Sequence, residues 1–215
     1  MASMTPTIFV IDDDPAVRDS LALLIGTQGL RVQTFEHAEA FLDKFRPDEI
    51  GCLVLDIRMP QTSGLALQDM LNLQNIQMPI IFITGHGDLE ECRRAFRGGA
   101  VDFLTKPINA VQLLESLKKA IRISIQQQKQ EAETQEVRQK LERITERERL
   151  ILRYVAEGRS SKEIARELAL SPRTVEAHRA KLFEKLDINS LAELVRFYLK
   201  ALDAVQPVPA QDTTP

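Results

Sequence analysis

Residues 51–60, GCLVLDIRMP, constrain the fold more than any other stretch of the chain. From Cys52 to Leu55 there is no polar alternation, the pattern of a strand buried on both faces in a parallel sheet covered by helices. The run delivers Asp56 to the strand's exit, the edge at which open α/β sheets bind ligands. Pro60 cannot continue a ladder, and Gly64 gives the chain a flexible point before a helical pattern begins at Leu65. Asp56 therefore belongs to a loop at a sheet edge and not to the core.

A lone aspartate after a strand is ordinarily just solvated, and its neighbours in sequence decide the matter. IFVI at 8–11 is followed by Asp12, Asp13 and Asp14; IIFIT at 80–84 ends in Thr84; FLT at 103–105 is followed by Lys106 and Pro107. Each is an apolar run ending in a polar or charged residue. A strand is also expected at 31–35. Helical patterns separate the strands: from Pro15, suited to a first helical turn, to near Gly29, then 37–45, 64–73 and 88–97, the last closed by Gly98 and Gly99. Asp14 reads as a solvated acid at a helix start. Strands alternating with helices at this spacing predict a doubly wound parallel five-stranded sheet with helices on both faces. The expected strand order is 2-1-3-4-5, whose switch-point crevice lies beside Asp56. All the polar strand tips then converge on one edge.

From Asn109 the pattern turns helical. Leu113, Leu114, Leu117, Ile121 and Ile125 form a stripe, and no Gly or Pro interrupts 109–143. One long linker helix is expected, the alternative being a short helix followed by a Gln-rich tether. Beyond it, Thr145 with Glu148 and Ser160 with Glu163 match the capping box, and Ser171 with Pro172 offers an N-cap followed by a helix-compatible proline. Helices are expected at 146–157, 161–168 and 172–186, with a fourth from Asn189 or Ser190 to near Leu202. The second and third are joined by only a few residues, the format of a helix-turn-helix. Residues 1–6 and 205–215 are expected to be disordered.

Composition narrows the classes. The net charge of −3 hides an acidic first half and a mildly basic remainder, too weak a balance to argue nucleic-acid binding alone. No apolar run approaches the length of a membrane span and the amino terminus lacks signal-peptide order, so a cytoplasmic protein without a membrane partner is expected. Cys52 and Cys92 both lie within apolar patterns and read as buried thiols.

Asp12, Asp13, Asp56, Thr84 and Lys106, in that order and context, resemble the receiver domain of two-component response regulators over about residues 7–120. Ile144, the TERE run at 145–148, Gly158, KEIA at 162–165, LSPRTV at 170–175, His178, Lys185 and Leu186 resemble the LuxR-type DNA-binding domain. Together they identify the FixJ/NarL class, and TGHGD at 84–88 leans toward its FixJ-like subgroup. The resemblance implies a flavodoxin-like receiver at 1–120, a helical linker at 121–141, a small all-α four-helix LuxR-type domain at 142–204 and a tail at 205–215. It implies phosphorylation of Asp56 by a sensor histidine kinase. It also implies Mg²⁺ (or another divalent cation such as Mn²⁺) on Asp13, Asp56 and the main-chain carbonyl of Arg58, with Asp12 acting through water. Thr84 and Lys106 would contact the phosphoryl group, and Phe103, where relatives often carry tyrosine, would rotate inward. Arg58 and His86 flank the expected line of water attack.

In the carboxyl domain, residues 173–185 are expected to be the recognition helix. Glu176, Ala177, Arg179 and Ala180 face bases in similar domains, while Arg173, Thr174, Lys181 and Lys185 lie on the DNA-contacting side, the charged ones suited to phosphates. Val175, His178 and Leu182 should point inward. The implied partners are promoter DNA with inverted-repeat half-sites, RNA polymerase and a second copy of the chain on activation, with the last helix pairing across the two-fold. The resting protein would be either compact, masking the recognition helix, or extended along the linker. A constitutive DNA-binding or scaffold protein with a silent receiver is the competing reading; the five intact positions argue against it. No stretch is left over to supply an enzyme's substrate pocket.

Overall fold

The computed structural model describes residues 5–47, 49–85 and 87–205. The chain folds into two compact units, Met1–Lys129 and Gln130–Pro215.

The first unit is a five-stranded parallel sheet of order β2-β1-β3-β4-β5. Its strands are β1 (Thr7–Ile11), β2 (Arg31–Phe35), β3 (Gly51–Asp56), β4 (Ile80–Thr84) and β5 (Asp102–Thr105). Its helices are α1 (Pro15–Gly26), α2 (Ala38–Leu42), α3 (Gly64–Leu73), α4 (Leu89–Arg97) and the first part of α5 (Ala110–Glu142). Successive strand residues divide between two cores. Ile8, Val10, Cys52, Val54, Ile81 and Ile83 pack with Leu21 and Ile25 of α1 and Leu113 and Leu117 of α5. Phe9, Ile11, Leu53, Leu55 and Phe82 pack with residues of α2, α3 and α4 on the other face. Coverage of both faces is why the central strands carry unbroken apolar runs. At the start of β3, a side chain on Gly51 would bring its Cβ to 1.8 Å from the Thr7 carbonyl oxygen, so only glycine fits. The amide of Gly51 donates to Ser124 Oγ of α5 at 3.0 Å.

Helix α2 is shorter than the 37–45 expected: His37 is its N-cap and Asp43 its C-cap. Phe45 stacks on Phe41, with ring centroids 4.9 Å apart, and meets Phe9 edge-on; Pro47, two residues on, disfavours helical backbone at the residue before it. Asp14 and Asp88, outside their helices, cap α1 and α4. The Gln-rich segment lies within α5, a single helix of 33 residues, and not in a tether.

The second unit holds α6 (Glu146–Ala156), α7 (Ser161–Glu167), α8 (Pro172–Leu186) and α9 (Leu191–Val205). Its core joins Val137 of α5 to Ile151, Val155, Ile164, Val175, Leu182, Leu186, Leu194 and Phe197. Both capping boxes are complete, satisfying amide groups at the starts of α6 and α7. Ala169, in the short α7–α8 turn, and Asp187, just past α8, have left-handed φ of 51° and 55°. Helix α9 runs to Val205, so the expected tail loses its first residue to a helix; residues 1–4 and 206–215 lie outside the described residues.

Candidate functional site

The sheet register brings four strand tips to one edge. Ile11 pairs with Leu55, Asp56 with Ile83 and Thr84 with Thr105, so Asp12, Asp56, Thr84 and Lys106 emerge side by side. Asp12 and Thr84 are fully buried, and Asp56, expected in a loop outside the core, is instead the last residue of β3 and only 5 % exposed, because β4 pairs with the strand as far as this residue. Lys106 donates to both buried acids, Nζ lying 2.8 Å from Asp12 Oδ2 and 2.6 Å from Asp56 Oδ2. Its backbone is fixed as well: the Lys106 amide donates to the Thr84 carbonyl at 2.7 Å, and the Lys106-Pro107 bond is cis.

These contacts set the electrostatics. Burial pushes the Asp12 carboxyl above its ordinary value and the Asp56 charge adds to that, against the lowering by Lys106 and the Asp14 amide. For Lys106, burial disfavours the charge, but its hydrogen bonds to Asp12 and Asp56 outweigh it and raise its pKa. Asp12, Asp13 and Asp56 each offer a carboxylate oxygen within 4.8 Å of the others, a cluster that could hold a divalent metal ion. The donors are all oxygen and two of the three acids are shielded from water, which suits a hard cation that keeps part of its water shell.

Neighbouring residues shape this edge. Arg18 Nη1 donates to the main-chain oxygens of Asp12 at 2.7 Å and Asp13 at 3.0 Å, bracing the acidic loop. The Arg58 amide donates to Asp56 Oδ1 at 3.1 Å, and its guanidinium pairs with Glu91 of α4 at 3.2 Å. Arg58, Glu91 and Asp13 line an open cleft beside the acids. Phe103 is half-buried against the core that contains Phe82 and Ala95. His86 lies outside the described residues. Arg18 escaped sequence reading because an arginine at α1's second turn has no motif; its distance of one helical turn from the acids was the only available signal.

In the second unit, α8 buries Val175, Leu182 and Leu186 and exposes Arg173, Glu176, Ala177, Ala180 and Lys181. Thr174, His178, Arg179 and Lys185 are half-buried. His178 sits at the boundary of the core, with a buried Nδ1 that has no hydrogen-bond partner among the described residues. Lys185, expected on phosphate, turns instead to Glu148 of α6 and contacts both of its carboxylate oxygens, at 2.9 and 2.7 Å. Thr174 is held to the N-cap, its amide donating to Ser171 Oγ at 3.0 Å. Glu176 and Arg179 both bond to Ser161 of α7, a residue not singled out from sequence.

A parallel sheet presenting clustered acids and a lysine at its carboxyl edge, followed in the same chain by a helix-turn-helix, defines a receiver coupled to a DNA-binding module. Residues 8–118 match the family described as "Response regulator receiver domain", and residues 142–198 match "Bacterial regulatory proteins, luxR family". The chain belongs to the two-component response regulators that regulate transcription. It is 42% identical to the transcriptional regulatory protein FixJ of Azorhizobium caulinodans over 208 residues, covering 97% of each chain. To the response regulator protein TodT of Pseudomonas putida it is 36% identical over 206 residues, covering 96% of this chain and 91% of that one. Among solved structures it is similar to the response regulator StyR, with 38% identity and a TM-score of 0.86 over 91% of this chain and 99% of that chain. Among the described residues no helix is long and apolar enough to cross a membrane.

Proposed function

We propose that Asp56 accepts a phosphoryl group from the phosphohistidine of a sensor kinase, and that this modification controls dimerisation and promoter binding. The observation that carries the reading is the position of Lys106, whose ammonium bridges Asp12 and Asp56 at 2.8 and 2.6 Å. A carboxylate so placed stands next to a cation that can follow the incoming charge. In the transfer, an Asp56 oxygen attacks phosphorus, the P–N bond breaks as the P–O bond forms, and the imidazole leaves with the bonding pair. Lys106 then shifts from the Asp56 carboxylate to a phosphoryl oxygen while keeping Asp12.

Mg²⁺, or Mn²⁺ in its place, would be held by Asp13, Asp56 and the Arg58 carbonyl, with Asp12 through water; when bound it offsets the repulsion between anionic donor and anionic nucleophile. Thr84, at the tip of the adjacent strand, donates its hydroxyl to the phosphoryl group. Its inward movement opens space that the half-buried Phe103 fills, and α4 and β5 become the surface that changes.

In the second domain, α8 enters the major groove. Arg179 and Glu176 read guanine and cytosine edges beside the small Ala177 and Ala180, and Arg173, Thr174 and Lys181 contact the backbone. Lys185, turned toward Glu148, supports the helix from behind. Two copies on inverted half-sites make the contacts that one cannot, and RNA polymerase is the downstream partner.

Light scattering of the wild type and Asp56→Asn, with and without beryllofluoride plus Mg²⁺, tests this. A shift from monomer to dimer in the wild type alone is the expected result. A shift in neither protein would overturn phosphorylation-controlled assembly.

A further inference from the structure

We infer that Ser161 is a positioning residue for base recognition, its hydroxyl joining Glu176 and Arg179 and thereby setting the sequence preference of α8. The inference rests on the reading of α8 as the base-contacting helix. Ser161 is the first residue of α7, and its hydroxyl is not needed for the cap. The preceding Ser160 does that work, its amide and hydroxyl reaching Glu163 at 2.8 and 2.6 Å. Ser161 Oγ instead donates to Glu176 Oε1 and accepts from Arg179 Nη1 at 3.0 Å. One donor hydrogen and one lone pair are thus directed at two residues of another helix.

Glu176 and Arg179 are three residues apart, a spacing at which opposite charges on a helix pair directly. Such a pair would turn each charge toward the other and away from DNA. Among the described residues they make no direct ion pair; they meet through the serine. The bridge engages one Nη1 hydrogen and one carboxylate oxygen, which leaves further donors on Arg179 for a guanine edge and a second oxygen on Glu176 for a cytosine amino group. Ala177 and Ala180, exposed on the same helix, add no bulk that would hold a base edge away.

The test selects binding sites from a random-sequence duplex library. It uses the full chain with and without beryllofluoride plus Mg²⁺, for wild type, Ser161→Ala, Ser161→Thr and Arg179→Ala. The base pair read by Arg179 is the one whose preference Arg179→Ala abolishes. Ser161→Ala should weaken preference at that base pair by about five- to tenfold. Ser161→Thr, which keeps the hydroxyl, should retain it, and affinity for unselected duplex and thermal stability should be unchanged. Adding Ser161→Ala to Arg179→Ala should then have no further effect at that base pair. A Ser161→Ala profile identical to wild type would overturn the positioning role alone. A wild type that selects no sequence would overturn the base-reading assignment of α8 as well.

Discussion

The ammonium of Lys185 closes on Glu148 across the carboxyl domain, 2.9 Å from one carboxylate oxygen and 2.7 Å from the other. Glu148 also receives the Thr145 amide at 2.8 Å and the Thr145 hydroxyl at 3.1 Å, so one buried carboxylate ties the start of α6 to the last turn of α8. Lys185→Ala removes the cation and leaves that carboxylate short of partners. It should destabilise the domain by about 1–3 kcal/mol, a range that allows for the partial exposure of the lysine. Urea unfolding reads the loss. The same variant should leave the salt dependence of DNA affinity unchanged, whereas Lys181→Ala should reduce its slope by about one.

The same pair makes stability depend on pH. Burial raises the Glu148 pKa, but the bonds from Lys185 and Thr145 outweigh it and hold it below the ordinary 4.5. A depressed folded pKa contributes stability that is present above the unfolded value and is lost as pH falls through the folded one. The wild type should therefore lose stability below about pH 4.5 more steeply than Glu148→Gln. Unfolding midpoints between pH 3 and pH 7 (about the range over which Glu titrates) compare the two slopes, and parallel curves would exclude Glu148 as the source.

Gly64 stands against the strand exit that carries Asp56. A Cβ there would lie 2.2 Å from the Asp56 main-chain oxygen, so Gly64→Ala must push the two backbones apart. Phosphorylation by acetyl phosphate should slow about ten- to hundredfold, as expected for a displaced nucleophile. A mass-spectrometric time course measures it, with melting temperature recorded to show that the variant is folded.

Removing one acid from the cluster should weaken divalent-metal binding. For Asp13→Ala, the exposed member, the loss of Mg²⁺ or Mn²⁺ affinity should be at least about tenfold with little change in fold stability. Calorimetric titration is the suitable readout because the chain has no tryptophan to report binding by fluorescence. Equal affinities would remove Asp13 from the ligand set.

Asp56 was legible in the sequence because a strand covered on both faces must be continuously apolar, so the first charged residue marks its end. The parallel sheet with helices on both faces followed from alternation of strands and helices. Contacts made across the fold were harder to read. Glu148 was visible as half of a capping box, but that box says nothing of Lys185, which lies 37 residues on and reaches it only once α6 and α8 pack. Ser161 follows a serine with the stronger local claim to a role, and its link to Glu176 and Arg179 exists only in three dimensions. Helix α2 is shorter than its periodicity suggests because Phe45 continues the apolar stripe of Phe41 while Pro47 disfavours helical backbone just beyond it. Local pattern fixes where a chain turns polar, and packing decides which polar groups meet.

The hydrogen bond from the Gly51 amide to Ser124 bears on where the receiver ends as a folding unit. The family match stops at residue 118, yet the acceptor for a buried amide at the start of the Asp56 strand comes from six residues further on. A receiver cut at residue 120 would remove the acceptor of that amide, at a cost of about 0.5–1.5 kcal/mol, the net worth of one hydrogen bond. One cut after residue 129, where the first compact unit closes, would keep it. The helix that leaves the receiver is, for its first four turns, part of what holds the receiver's central strand in place.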